Sequence, residues 1–466
     1  MEDRRLEDVF GLGGVASESK DAGAESRWLR KNFKLPHNPF PPSGISPDAP
    51  EGPPLKDEQG REIAPQIRHF LTSAYTDPAS TKGLVIIGAY GTGKSHLLRL
   101  MHHQINEWLG SGERRALAVY VQRPRVEAQD VNREMLRGLG EDTVRKMLWY
   151  CMRSKVASDI DAHEKVLDDL RVTLSGPLFA GDSVKRSDTS FDHVFQTANL
   201  SDHRSFFELY DAEGWPREAL HDYFIDLLVR SLGTESPLEV VEAFVAVLLA
   251  PDAKSRATWE SLLALGKRRR APLMAAPAFL QDLLSLFCIN GYVYTFLLID
   301  EFEEVPAGYL LTRRQKADYM YTLMEMLNTV REGLGLVLAI TPEAWEIITA
   351  EAPPLKDRLP TVIRLGPLDR ESIARLVEFY LSRARQDASL EGPSPLFPFS
   401  DDLIDSVAES LPERTPRNVL QFIHQVISHC VVNRTASITR KTIQTVLGDF
   451  IEMKSVKAPK RRLVGR

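Results

Sequence analysis

The stretch Leu84-Val85-Ile86-Ile87-Gly88-Ala89-Tyr90-Gly91-Thr92-Gly93-Lys94-Ser95 decides how the chain is read. Its first four residues are all apolar, without the alternation of a half-exposed strand, which predicts a short strand buried on both faces. The next eight fit G-x-x-x-x-G-K-[ST] in full, and a helical pattern runs from Lys94 to about Trp108. Strand, glycine-rich turn and helix is the context this motif requires. Glycines allow a tight turn in which consecutive N–H groups face phosphate oxygens, and the helix N-terminus adds its partial positive charge. Lys94 has the reach for β- and γ-phosphates, and the Ser95 hydroxyl suits Mg²⁺.

Downstream, Thr295-Phe296-Leu297-Leu298-Ile299 predicts another central strand, and it runs straight into Asp300-Glu301. A carboxylate at the C-terminal end of a buried strand is placed to hold the Mg²⁺ shell, the role expected of Asp300. Glu301 beside it can polarise an attacking water, so hydrolysis is expected rather than transfer to a second substrate. Leu117–Val121, Leu336–Ile340 and Thr361–Leu365 complete five predicted strands. Helices between strands imply a parallel sheet covered on both faces.

Composition sets the outer bounds. The 466 residues are 43% hydrophobic and 26% charged, as in soluble globular chains. Lys and Arg total 58 against 64 Asp and Glu, a net charge of −6, which excludes a protein that coats polyanions by bulk charge. Cys151, Cys288 and Cys430 are far apart, so neither a disulfide framework nor a zinc site is supported, and a reducing, cytoplasmic setting is expected. No apolar run approaches the roughly 20 residues of a membrane span, and Met1–Arg5 lacks a signal peptide's apolar core.

These elements resemble an AAA+ ATPase over about 56–450, outside a helical insertion. Gly88–Ser95 stands as Walker A and Leu297–Glu301 as Walker B. The resemblance implies an α/β P-loop NTPase: a five-stranded parallel sheet, a large helical insertion and a C-terminal helical lid bundle. ATP and Mg²⁺ are the implied cofactors. Nucleotide would be held by Gly88, Ala89, Tyr90, Gly91, Thr92, Gly93, Lys94, Ser95 and His96, and metal by Ser95 and Asp300. Thr341, closing Leu336–Ile340, matches the residue that senses the γ-phosphate; as plain chemistry it also suits a cap for the helix from Pro342. Arg358 matches the arginine that reaches into a neighbouring subunit's site, which implies a homo-oligomer; it also suits a solvated helix-end cation. Arg417, in Thr415-Pro416-Arg417-Asn418, matches a lid arginine that contacts nucleotide, or simply covers the bundle surface. Within the family, Gly93–Leu98 is similar to helicase loaders and origin-recognition ATPases, and Asn38-Pro39-Phe40 resembles transposition and secretion ATPases. Origin-recognition ATPases carry a winged-helix domain after the lid, and no such pattern follows here. The expectation is an accessory ATPase acting on a protein–DNA assembly.

The domain expectations are an N-terminal extension at 1–55, a nucleotide-binding core at 56–366 with the insertion at about 128–285, a lid at 367–452 and a basic tail at 453–466. Residues 1–55 have the Gly, Ser and Pro content of a mobile segment, although Phe33-Lys34-Leu35-Pro36-His37-Asn38-Pro39-Phe40 could equally dock as a clip. The insertion, read as helical with no convincing strand, is the expected docking site of a protein partner. Lys267-Arg268-Arg269-Arg270 and the tail from Lys454 to Arg466 suit DNA phosphates, or are merely solvated charge. A signalling or scaffold NTPase of a defence or secretion system, acting on a protein partner without DNA, is the alternative function.

Overall fold

The computed structural model describes residues 15–44, 55–77, 82–109, 115–124, 130–162, 193–196, 198–232, 238–265, 277–308, 311–330, 332–386 and 390–457. The basic run 267–270 and the tail from 458 onward lie outside the described residues. The chain divides into two compact units. One comprises Arg68–Ile87 and Leu97–Val362; the other comprises Met1–Ile67, Gly88–His96 and Ile363–Arg466.

The first unit is built on the sheet. Its strands are β1 (Lys82–Ile87), β2 (Arg115–Val121), β3 (Tyr292–Ile299), β4 (Leu334–Ile340) and β5 (Thr361–Arg364), in the spatial order β2-β3-β4-β1-β5. β2 with β3, β3 with β4, and β1 with β4 pair in parallel. Ile87 pairs with Ile340, Ile299 with Leu338 and Val121 with Ile299, so these four strands end along one edge. This is an α/β fold, a five-stranded sheet with parallel pairing and helices between the strands, followed by a helical C-terminal region. β1 and β2, consecutive in the chain, are separated in the sheet by β3 and β4, so the chain crosses over between them.

β1, β2, β3 and β4 each begin two or three residues before the apolar runs that predict them; the first three start on partly exposed Lys82, Arg115 and Tyr292, while β4 starts on buried Leu334, set off from its run by Gly335. The helix from Lys94 is α-helical to Gln104 and continues as a π-turn over Ile105–Leu109. There the Asn106 amide accepts from Ala118 N at 2.8 Å and donates to Ala118 O at 3.1 Å, which satisfies an outer backbone position of edge strand β2.

Between β2 and β3 the described residues are helical, as the pattern implies. They include Asp130–Leu139, Glu141–Ala162 and His203–Ala212, which the sequence pattern did not single out. These helices share one apolar core with the sheet: Trp149, Phe206, Phe224 and Phe244 belong to the same cluster as Val119, Leu297 and Leu336. Trp149 stacks within 4.8 Å of Phe206 and donates its indole N–H to Leu200 O at 3.0 Å, so its polar edge is satisfied inside that core.

The second unit has its own core, formed by the helices Arg370–Ala384, Asp401–Ser410, Pro416–Val432 and Arg440–Lys457. Three of the caps expected there are present: Asp369 accepts from Ser372 N, Thr415 accepts from Asn418 N with proline at the first turn, and Thr439 accepts from Thr442 N. Ser400 occupies the N-cap position of its helix but makes no side-chain cap bond. The N-terminal segment is where structure and composition part most. Val15–Phe33 is helical, and Leu29, Phe33, Leu35 and Phe40 are buried in this core rather than solvated. Four such side chains offer about 1.5–3 kcal/mol each on burial, enough to offset the order imposed on a polar segment. Among the described residues no helix is long and apolar enough to cross a membrane.

Candidate functional site

The glycine-rich loop continues directly from β1. Gly91 and Gly93 have φ of +83° and +101°, which L side chains rarely adopt. At Gly91 the need for glycine is also steric: a Cβ there would lie 2.9 Å from Arg417 Cβ and 3.3 Å from Thr415 Oγ1. Thr92 is buried and its hydroxyl donates to Ala89 O at 2.8 Å, closing the turn on itself. Lys94, also buried, donates from Nζ to Gly88 O at 2.8 Å and to Ala89 O at 3.3 Å, and lies 5.4 Å from the Tyr90 ring centre. An ammonium wrapped by its own loop's carbonyls is placed where phosphate oxygens would replace them as partners. Tyr90 itself is 69% exposed. Ser95 and His96 form the first turn of the helix and are half-buried.

Arg417 belongs to this assembly. Its backbone N–H donates to Gly91 O at 3.3 Å, and it lies in the first turn of Pro416–Val432, whose cap is Thr415. The structure therefore brings the loop and Arg417 together, across more than 320 positions of sequence.

The acidic residues lie in the other unit. Asp300 follows β3 and is 2% exposed. One carboxylate oxygen accepts from Tyr120 Oη at 2.8 Å, and the other accepts from Glu301 N at 2.9 Å. Burial, then the Asp300 charge, push the Tyr120 phenol well above its ordinary range, so it stays a donor. Glu301 adopts a left-handed conformation, φ 50° and ψ 33°, a region that costs a non-glycine residue about 1–3 kcal/mol. Its carboxylate is gripped by Arg123, with Nη2 at 2.6 Å and Nε at 2.7 Å from one oxygen. The bond to Glu301 raises the Arg123 guanidinium further above its usual range.

Thr341 is buried at the end of β4, and its hydroxyl accepts from Ala344 N at 3.4 Å as the cap of Pro342–Glu351. The capping role is thus occupied in the structure. Arg358 ends the short helix Pro353–Asp357 and is exposed. Asp300 and Thr341 are the residues that follow β3 and β4 at the edge where β1 gives way to the loop. The Ser95 hydroxyl and the Asp300 carboxylate are each a hard oxygen donor, the type that Mg²⁺ prefers.

Tyr120 and Arg123 escaped the sequence reading. The available signal was slight: a phenol interrupting the apolar run Leu117–Val121, and an arginine two residues beyond it. Neither points at Asp300-Glu301 until β2 is known to pair with β3, Tyr120 opposite Leu298.

No protein-family profile matches the chain. An uncharacterized HTH-type transcriptional regulator of Methanocaldococcus jannaschii is 25% identical over 116 residues, which is 25% of this chain and 27% of that protein. The matched region thus spans about a quarter of that relative's length. Among solved structures, the Aeropyrum pernix ORC2 protein in its ADP form gives a TM-score of 0.43 at 11% identity, covering 86% of this chain and 71% of that one. The same protein in its ADPNP–ADP complexes gives 0.42 at 11% identity, covering 88% and 73%.

Proposed function

We propose that the chain is an ATPase that binds ATP with Mg²⁺ through Gly88–His96 and hydrolyses it with Glu301. The observation that carries this reading is the complete phosphate loop. It leaves buried β1 directly, with Lys94 turned onto the loop's own carbonyls and a helix opening behind it. Lys94 would pair with phosphate oxygens in place of Gly88 O and Ala89 O. Ser95 and Asp300 would hold the metal, which when bound neutralises charge on the phosphates. The Tyr120 hydroxyl and the Glu301 N–H hold the Asp300 carboxylate in its orientation. Glu301 would accept a proton from the attacking water. Thr341 would sense the γ-phosphate, Arg417 would contact the bound nucleotide, and exposed Arg358 would serve a neighbouring copy's site, making the working unit an oligomer.

The wider role is a switch that remodels or recruits a protein–DNA assembly. The helices within 128–285 would meet the protein partner, and the basic segments 267–270 and 454–466 would meet DNA. Turnover measured with and without duplex and single-stranded DNA, at low and moderate salt, tests that part. Stimulation that fades with salt is expected, because each phosphate contact releases counterions. Turnover indifferent to DNA would favour the signalling or scaffold reading. One observation already leans that way: an arginine clamped on Glu301 suits slow, gated hydrolysis.

A further inference from the structure

Arg417 is held from two sides. Toward the loop, its N–H donates to Gly91 O at 3.3 Å. On another side lies the end of the N-terminal segment: a Cβ built on Gly44 would sit 2.5 Å from Arg417 O and 2.7 Å from Arg417 Cγ. Gly44 has φ +67°, so glycine is required there by conformation and by space together.

The residues leading to Gly44 are fastened to the helix that carries Arg417. Asn38 Nδ2 donates to His424 O at 3.1 Å and to Ser428 Oγ at 3.3 Å, while Asn38 Oδ1 accepts from Phe40 N at 3.3 Å. His424 Nδ1–H donates to Phe40 O at 2.6 Å, and Phe40 is buried, its ring 5.7 Å from that of Tyr380. Gln421 Nε2 donates to Ser43 O at 2.9 Å, and Gln421 Oε1 accepts from Lys454 Nζ at 2.8 Å. The turn itself closes through Gly44 N donating to Pro41 O at 2.9 Å. The fastenings track one face of Pro416–Val432, at 417, 421, 424 and 428, the 3.6-residue repeat of a helix. A segment whose only task was to cover apolar surface would need Phe33 and Phe40; it would not need polar ties at each turn, ending on a glycine wedged at Arg417.

We propose that Asn38–Gly44 is a strap that positions Arg417 for nucleotide, which makes this segment a determinant of nucleotide affinity although it lies some 50 residues before the loop. The proposal rests on the reading of Arg417 as a nucleotide contact. Gly44 sets where the first turn of Pro416–Val432 stands, and Gly91 receives it.

A double-mutant cycle on the full chain tests this, with ATP and ADP affinities from titration and melting temperature as the folding check. Arg417→Ala is expected to weaken ATP about tenfold or more, the range of a hydrogen bond to a charged group. Gly44→Ala is expected to weaken ATP about tenfold in the wild-type background and not at all in the Arg417→Ala background. Equal weakening in both backgrounds, or an unchanged affinity in the wild type, overturns the strap. An Arg417→Ala protein with undiminished affinity overturns instead the reading beneath it, and the strap's role with it. Should Gly44→Ala fail to fold, Asn38→Ala, which removes two ties and adds no atoms, takes its place in the same cycle with the same criteria.

Discussion

At the scale of single residues, the pair Arg123–Glu301 is the contact with most leverage on chemistry. Both partners reach solvent, 65% and 38% exposed, and such pairs are worth about 1 kcal/mol at most. That ceiling turns into a bounded expectation. Arg123→Ala releases the carboxylate, so basal turnover should rise, by no more than about fivefold, with ATP affinity unchanged. Steady-state kinetics paired with nucleotide titration checks it, and a fall in turnover would make Arg123 an aid to hydrolysis rather than a restraint. Tyr120 is the complementary case, because its partner Asp300 is buried. Tyr120→Phe removes one donor from a buried carboxylate, a loss of about 1–3 kcal/mol. The expected outcome is a higher Mg²⁺ requirement for turnover with metal-free nucleotide affinity unchanged; an unaltered Mg²⁺ dependence would show that the phenol does not orient Asp300. Of these groups, Lys94, Ser95, Asp300 and Glu301 stand in the sequence because their motifs are local. Tyr120 and Arg123 do not, because they matter only through a pairing between strands some 170 residues apart.

Among the elements, the turn Lys56–Glu62 shows how one buried carboxylate organises a junction. Asp57 Oδ1 accepts from Gln59 N and Arg61 N, both at 2.9 Å, while Oδ2 accepts from Arg61 Nε at 2.8 Å and Gln66 Nε2 at 3.0 Å. Burial raises its pKa, but these bonds outweigh burial and bring it down to about 2. Asp369, which caps Arg370–Ala384 and pairs with Lys56 at 2.9 Å, is likewise pulled to about 2 against its own partial burial. The sign follows from linkage. Folded-state values below the ordinary carboxylate value mean that the unfolded chain binds more protons between about pH 4 and pH 2. These contributions are therefore complete above about pH 4 and are lost as the pH falls toward 2. Urea midpoints at pH 6 and pH 3 should differ less in Asp57→Asn than in the wild type; an equal difference would remove Asp57 from the acid response. The N-terminal helix was hidden from sequence patterns for a related reason. Val15–Phe33 has few apolar residues, and what fixes it is a core supplied by residues 368–450, far along the chain. Phe40→Ala, which empties part of that core, should cost the unit about 3–5 kcal/mol. A denaturation midpoint close to wild type would show that the segment is not anchored there.

For the whole molecule, a loop after the first strand and acids after the third implied only that those strand ends share one edge of a parallel sheet; the order β2-β3-β4-β1-β5 depends on long-range pairing that no local pattern carries. The helices between β2 and β3 were legible as helices, yet their sharing of the sheet's core was not: burial of Trp149 or Phe206 depends on tertiary partners that periodicity does not encode. The grouping of Gly88–His96 with the C-terminal helices, rather than with the strand that leads into it, was equally out of reach. Assembly belongs to this scale. Arg358→Ala should abolish turnover while leaving ATP affinity intact, and mixing it with Lys94→Ala should restore part of the activity if each copy completes its neighbour's site. No recovery on mixing would confine Arg358 to its own chain.

The measurement that bears most directly on the central claim is turnover and bound nucleotide in Glu301→Gln beside the wild type, at saturating ATP and Mg²⁺. ATP should be held at wild-type affinity and turnover reduced at least about a hundredfold, the usual contribution of a general base. Wild-type turnover in the variant would contradict it, because Glu301 would then have no part in hydrolysis.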